Sequence, residues 1–184
     1  HTFVAQTVAK GSTVVDATAG NGNDTLFLAQ LVGDGGLVHA FDIQRQALDK
    51  TRTLLAQHNL AQWVRLHLAD HREIPLYVQT PIAAAMFNLG YLPGGDKQVK
   101  TSAQASIIAL EKCLSILAPG GIISVVTYSG HSGGEEEEAM VESWCRELPA
   151  RDYTAINFTL INKANRPPKL WLIRRPMGEI SPVR

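Results

Sequence analysis

Short apolar runs that end on an acid or an amide alternate along this chain with longer stretches whose apolar residues recur every three or four positions. The first kind reads as strand and the second as helix, because strand side chains alternate between two faces while one helix face repeats about every 3.6 residues. On that basis the sequence predicts helix over residues 2–10, strand from Thr13 to Asp16, helix from about Asp24 to near Val32, strand over 37–43 and helix over 44–58. Strands follow in WVRLHLAD, ending at Asp70, and in PIAAAMFNLG. A helix from Thr101 to Leu117 is expected to stop at Pro119-Gly120-Gly121, and IISVVTYS is apolar enough for a strand buried on both faces of a parallel sheet. A helix over roughly 134–148 precedes two further strand-like runs, YTAINFTLI and KLWLIRR. The link between them, Asn162 to Pro168, is too short for a parallel crossover, so they pair antiparallel. The expectation is one α/β domain over residues 1–184, Rossmann-like, with a seven-stranded mostly parallel sheet, an antiparallel C-terminal hairpin and helices on both faces.

Within this pattern the stretch VVDATAGNGNDTLFLA, Val14 to Ala29, carries the first chemistry. A strand ends on Asp16, and the chain then turns through Gly20-Asn21-Gly22-Asn23 into a helix opened by Asp24 and Thr25. Glycines there allow positive φ and close approach of backbone to ligand, at the place where open α/β sheets bind nucleosides. A dinucleotide site usually spells this turn G-x-G-x-x-G and sets a pyrophosphate on the helix-opening amides. Here the third glycine is missing, and Asp16 and Asp24 bracket the turn. Two carboxylates would repel a pyrophosphate but suit the ammonium and sulfonium of S-adenosylmethionine, provided that they face the ligand. Asp24 also fits the simpler role of an acid at a helix N-terminus.

Composition narrows the class. With 45% hydrophobic residues in 184, the chain can bury a proper core. Two cysteines, Cys113 and Cys145, are too few for a disulfide framework or a zinc site, and both fall in helical patterns. No apolar run approaches the ~18 residues of a membrane span and no leader pattern is visible, so a cytoplasmic protein without membrane contact is expected. Net charge is zero, yet its distribution is uneven: Glu135 to Glu138 form an acidic block, and from Tyr153 onward six cations face the single acid Glu179. The acidic block reads as the first turn of a helix, and the basic segment either contacts phosphates or guards a sheet edge.

Two more strand ends supply polar groups. Asp42, 20 residues beyond Gly22, is placed to accept from ribose hydroxyls, with Gln44 as a helper. Asp70 and His71 end the third strand, where an acid can accept from an adenine amino group. His71 also fits a surface-loop histidine. No metal site is expected, because the spacing of His67 and His71 falls at a strand end and not on one helical face.

The fourth strand runs into MFNLGYLPGGDK, Met86 to Lys97, which puts the amide of Asn88 and the ring of Tyr91 at the mouth of the same site. Its form is like the N/D-P-P-Y/F motif of amino-methylating enzymes, with Leu89-Gly90 in place of Pro-Pro. Together with DATAGNGNDTLFLA, YSGHSGGEEE and NKANRPPKLWLIRR, in that order and across nearly the whole chain, it resembles the small S-adenosylmethionine-dependent methyltransferases long labelled rRNA methylases, the YtqB group. Members of that group are understood as MnmM enzymes. The resemblance implies methylation of 5-aminomethyl-2-thiouridine to 5-methylaminomethyl-2-thiouridine at wobble position 34 of bacterial tRNA, with the anticodon stem-loop as partner.

The resemblance implies direct transfer from sulfonium to amine, with the protein positioning the reactants and favouring loss of the ammonium proton. Asn88 and the Leu89 carbonyl would accept from the amine, and Tyr91 would stack on the base. Asp96 and His131 stand closest in sequence to a proton-removing role, and Asn165, Arg166 and Lys169 could reach the anticodon. An exposed antiparallel edge could pair two copies. Three other classes share parts of the pattern: a methyltransferase of rRNA or a small molecule, an NAD-dependent oxidoreductase, and a non-catalytic RNA-binding module.

Overall fold

The computed structural model describes residues 1–90, 102–130, 133–163 and 165–178. Five parallel strands, β1 (Thr13–Asp16), β2 (Leu37–Asp42), β3 (Val64–Leu68), β4 (Ile82–Leu89) and β5 (Leu117–Thr127), are joined through helices α2 (Asn23–Val32), α3 (Arg45–Gln57), α4 (Ile74–Tyr77) and α5 (Ala103–Ser115). Helix α1 (Thr2–Ala5) precedes them, and α6 (Gly134–Glu147), β6 (Thr154–Phe158) and β7 (Lys169–Arg174) follow. The sheet order is β3-β2-β1-β4-β5-β7-β6, with β7 antiparallel to both β5 and β6. This is the Rossmann-like arrangement expected from the alternation of periods, and its antiparallel end is the one that the resemblance to class I methyltransferases implies.

Alternation along the central strands divides the core into two layers. Val15, Phe87, Leu89, Ile123 and Val125 pack with Leu110, Cys113 and Leu114 of α5 and Val141 and Trp144 of α6. Their strand neighbours Val14, Val38, Ala84, Met86 and Ile122 face Val4, Leu28, Val32 and Leu55 on the other side. Polar ties cross the first layer. Ser106 Oγ donates to Glu137 at 2.6 Å, joining α5 to α6, and Trp171 Nε1 donates to Thr127 Oγ1 at 3.2 Å, joining β7 to β5. Glu137 is only 2% exposed, so the acidic block is in part an internal fastening.

Two boundaries differ from the sequence expectation. The first helix ends at Ala5 instead of residue 10, because the chain must turn so that Gly11 N–H can donate to the Val32 carbonyl at 2.8 Å before entering β1. Pro119-Gly120-Gly121 lies inside β5 and does not separate helix from strand. The register passes from Ile82 opposite Leu117 to Ala84 opposite Ile122, so these residues bulge out of the ladder. The bulge is pinned by the residue just after β7: Arg175 exchanges backbone hydrogen bonds with Gly120 and Gly121, and its guanidinium donates to the Leu117 carbonyl at 2.6 Å.

Strand β6 is the sheet edge and all five of its residues are exposed. Among the described residues no helix is long and apolar enough to cross a membrane.

Gly22 is the glycine that the turn requires. It caps α2 at φ 87°, and a Cβ there would lie 2.9 Å from the Cα of Thr51. Left-handed backbone and backbone collision add, so Gly22→Ala is expected to lower stability by about 2–4 kcal/mol. Urea unfolding should show a lower midpoint at an unchanged slope.

Candidate active site

The strand order places β1 between β2 and β4, and the helices that follow β1 and β4 leave to opposite faces of the sheet, which opens a crevice over the strand ends. A cavity of about 620 Å³ occupies that crevice, inside the range of small-molecule sites. Its walls are the β1–α2 loop, the ends of β2, β3 and β4, and Tyr128 and Gly130 beyond β5, with Arg166 and Pro168 at one side.

Backbone hydrogen bonds hold the β1–α2 loop against its neighbours. Ala17 N–H donates to the Met86 carbonyl, Ala19 N–H to Phe41 and Gly22 N–H back to Ala19, at 2.8 to 2.9 Å. Gly20, at φ 53°, donates to Asp42 Oδ2 at 2.9 Å, and Gln44 N–H donates to Asp42 Oδ1 at 2.8 Å. Asp42 is thereby oriented with lone pairs left for the cavity it lines. Burial raises its carboxyl above the usual range, against the pull of these amides.

The two acids that bracket the turn have separated roles. Asp16 is fully buried and is absent from the cavity wall. Thr25 Oγ1 donates to its Oδ2 at 2.6 Å and Thr18 N–H to its Oδ1 at 3.1 Å, so Asp16 ties the loop to α2 from beneath. Burial is the largest cause pushing its carboxyl up, to about 7, with Asp24 and Asp42 adding to it. The expectation that Asp16 and Thr25 face a ligand is therefore corrected. Gly22 likewise shapes the turn without lining the cavity. Asp24 does line it, and its role exceeds capping: Oδ1 is 2.6 Å from His1 Nε2, and Oδ2 accepts from Asn88 Nδ2 at 2.5 Å.

At the end of β3, Asp70 and His71 both line the cavity, and their hydrogen bonding differs. Arg72 grips Asp70 through Nε and Nη2, both at 2.9 Å, and Asp70 caps the short 3-10 turn His71–Glu73. The Arg72 guanidinium holds the Asp70 carboxyl below its usual range. His71 is 8% exposed, which excludes the surface-loop reading, and its ring faces the cavity. One ring nitrogen hydrogen-bonds the Ala17 backbone, while Nε2 has no hydrogen-bond partner among the described residues and lies 4.0 Å from Asp70 Oδ1. Burial lowers the imidazole pKa, so a neutral ring presents Nε2 as an acceptor. An orphaned buried acceptor is costly and is normally answered by a donor.

Of the remaining expected residues, Asn21, Asn23, Gln44 and Asn88 line the cavity, while the Leu89 side chain is buried away from it. Arg166 lines it too, in left-handed backbone at φ 45°, and ion-pairs with Glu135 of α6. Lys169 is turned away, 2.8 Å from Glu138, 3.9 Å from Glu142 and over the Trp171 ring. Asn165 is exposed and outside the wall. Tyr91, Asp96 and His131 lie outside the described residues. Three participants were missed from sequence. Thr18 Oγ1 accepts from Asn88 N–H at 2.7 Å, Tyr128 lines the cavity with its phenol pushed up by burial and by Asp24, and His1 reaches Asp24. The position of Tyr128 at the carboxyl end of the fifth strand was a usable signal; nothing in the sequence marked His1.

Residues 38–174 match the family model described as "Putative rRNA methylase". The chain is 39% identical over 185 residues to the tRNA (mnm(5)s(2)U34)-methyltransferase, chloroplastic, of Arabidopsis thaliana, covering 95% of this chain and 68% of the relative. Among solved structures it is similar to a "putative rRNA-methylase" from Clostridium thermocellum, 42% identical with a TM-score of 0.93, over 95% of this chain and 94% of that one. It is also similar to a "putative methyltransferase" from Streptococcus mutans solved in complex with SAH, 40% identical with a TM-score of 0.87 over the same shares.

The raised carboxyl of Asp16 has a definite sign. Its protonated form is favoured in the fold, so the stability it contributes is complete below about pH 4 and is lost as pH rises through about 7. Asp16→Asn removes the titration and keeps the shape. Thermal melts from pH 4 to pH 8 should show the variant gaining on the parent as pH rises. A gap that stays constant with pH would contradict the assignment.

Proposed function

The chain belongs to the rRNA-methylase family, and from that premise we propose that it methylates the amine of 5-aminomethyl-2-thiouridine at wobble position 34 of tRNA, using S-adenosylmethionine. The observation that carries this reading is one cavity in which acceptors suited to a nucleoside, Asp42 and His71, adjoin the Asn88 amide at the end of the next strand. The similarity to the Arabidopsis wobble-uridine enzyme supports the RNA and the position.

The residues present fit the cofactor. Lone pairs of Asp42 suit ribose hydroxyls, the orphaned Nε2 of His71 suits an N–H or O–H of the adenosine, and the Asp24 carboxylate suits a cationic amino-acid end. When bound, S-adenosylmethionine supplies an electrophilic methyl group on a sulfonium. The protein's own contribution is positional: the Asn88 side chain, with the backbone of Leu89, receives the target amine, and the buried loop beneath leaves little freedom to misalign it. Tyr91 is proposed to stack on the uracil, and Asp96 or His131 to take up the ammonium proton. An anticodon loop already presents its base unpaired, so no duplex has to be opened.

Arg166 at the cavity mouth is the cation proposed to meet the anticodon stem-loop; Lys169 is occupied by two glutamates and contributes less. We read the protein as cytoplasmic, and any pairing of two copies would use the exposed β6 edge. Family membership removes the ground for the NAD-dependent and binding-module alternatives.

The test incubates tRNA bearing 5-aminomethyl-2-thiouridine with the protein and S-adenosylmethionine and reads the nucleosides by mass spectrometry. One added methyl on that nucleoside is expected. Asp42→Ala should abolish it and weaken binding of S-adenosylhomocysteine by about tenfold or more, from loss of charge-assisted hydrogen bonds. Cofactor binding without transfer to this tRNA would discard the substrate and keep the methyltransferase. A folded protein that binds no cofactor would overturn both.

A further inference from the structure

The amide of Asn88 has two chemically opposite ends, and which end faces the cavity decides what the site can recognise. Asp24 Oδ2 lies 2.5 Å from Asn88 Nδ2. A carboxylate only accepts, so the NH2 end is committed to Asp24; the reversed amide would set two acceptors against each other at that distance. The Asn88 backbone is fixed as well, its N–H donating to Thr18 Oγ1 at 2.7 Å. The carbonyl end is thus the end left for an incoming group, and it selects an N–H donor.

Asp24 is itself held from outside the cavity. Its other oxygen lies 2.6 Å from His1 Nε2, and the His1 ring stacks on Phe27 with centroids 3.8 Å apart and planes 9° from parallel. Phe27 and Asp24 sit three residues apart in α2, on neighbouring positions of one helix face. The stack sets the imidazole plane and the imidazole sets the carboxylate. His1 does not line the cavity.

We propose that His1 is a positioning residue of the active site: clamped on Phe27, it fixes the Asp24 carboxylate, which in turn locks the Asn88 amide with its oxygen toward the amine to be methylated. The inference rests on the reading of that amine as the methyl acceptor. His1 orients the Asp24 carboxylate without supplying its charge, so the attraction for the cofactor's ammonium survives its removal and the effect falls on the alignment of the bound reactants. Its removal lowers turnover more than affinity. A donor of similar reach at the same place restores it, since the Asp24 oxygen needs an N–H and not specifically a ring.

The test compares His1→Ala, His1→Gln, Asp24→Asn and the double variant His1→Ala/Asp24→Asn in the full chain. The expected result for His1→Ala is a turnover about tenfold lower, equal to about 1.4 kcal/mol in the barrier, with KM for the tRNA, affinity for S-adenosylhomocysteine and melting temperature nearly unchanged. His1→Gln should recover most of the loss, and His1→Ala should cost little more once Asp24→Asn is present, because both act through one carboxylate. Unchanged turnover in His1→Ala, losses that add in the double variant, or a loss that tracks cofactor affinity or melting temperature would overturn the proposal. If the parent protein methylates no aminomethyl-uridine tRNA, the functional reading fails. The lock is then read from the side-chain amide signal of Asn88 in 15N–1H spectra of the S-adenosylhomocysteine complex. A shift in His1→Ala that His1→Gln reverses sustains the lock, and an unmoved signal refutes it.

Discussion

Everything functional in this molecule depends on the packing of the four-residue strand β1 between β2 and β4. Val14 and Val15 are fully buried on opposite faces of the sheet, so the strand serves both core layers at once. Flanked on both sides by parallel partners, it cannot slip by one residue without exchanging its two faces. The helices that follow β1 and β4 leave to opposite layers, α2 against the layer of Val14 and α5 against that of Val15, and the crevice between them is a consequence of the topology. The loop above β1 inherits its shape from this strand through Asp16, whose two oxygens anchor Thr18 and Thr25.

Charge is distributed on the same principle of internal use. Acids that a sequence presents as a solvated block are divided by helix geometry among three tasks: Glu135 meets Arg166, Glu137 turns into the core toward Ser106, and Glu138 meets Lys169. Arg166 and Lys169 of the basic C-terminal segment thus meet the acidic block and connect α6 to the β6–β7 hairpin. The exposed pair at Arg166 contributes little to stability, as surface pairs generally do, whereas the half-buried Lys169 cluster also covers Trp171.

Much of this could be read from residue order. The order of strands and helices, the antiparallel end and the acids at the β1–α2 turn, β2 and β3 all follow from local periodicity and turn chemistry, which act over a few residues. What the sequence hid were consequences of three-dimensional neighbours. Asp16 and Asp24 look equivalent on paper, and only the depth of the loop decides that one is buried beneath it and the other faces the cavity. Asp70 and His71 both read as cofactor contacts; only the fold shows that Arg72, two residues on, holds the acid, while the imidazole Nε2 has no hydrogen-bond partner among the described residues. Contacts such as His1 to Asp24, separated by 23 positions, leave no periodic trace.

The pairing of Arg166 and Lys169 with glutamates bears on how this patch meets a polyanion. Because Arg166 already meets Glu135 and Lys169 already meets Glu138, a phosphate that reaches this patch has to displace a carboxylate to gain either cation, and few counterions are set free there.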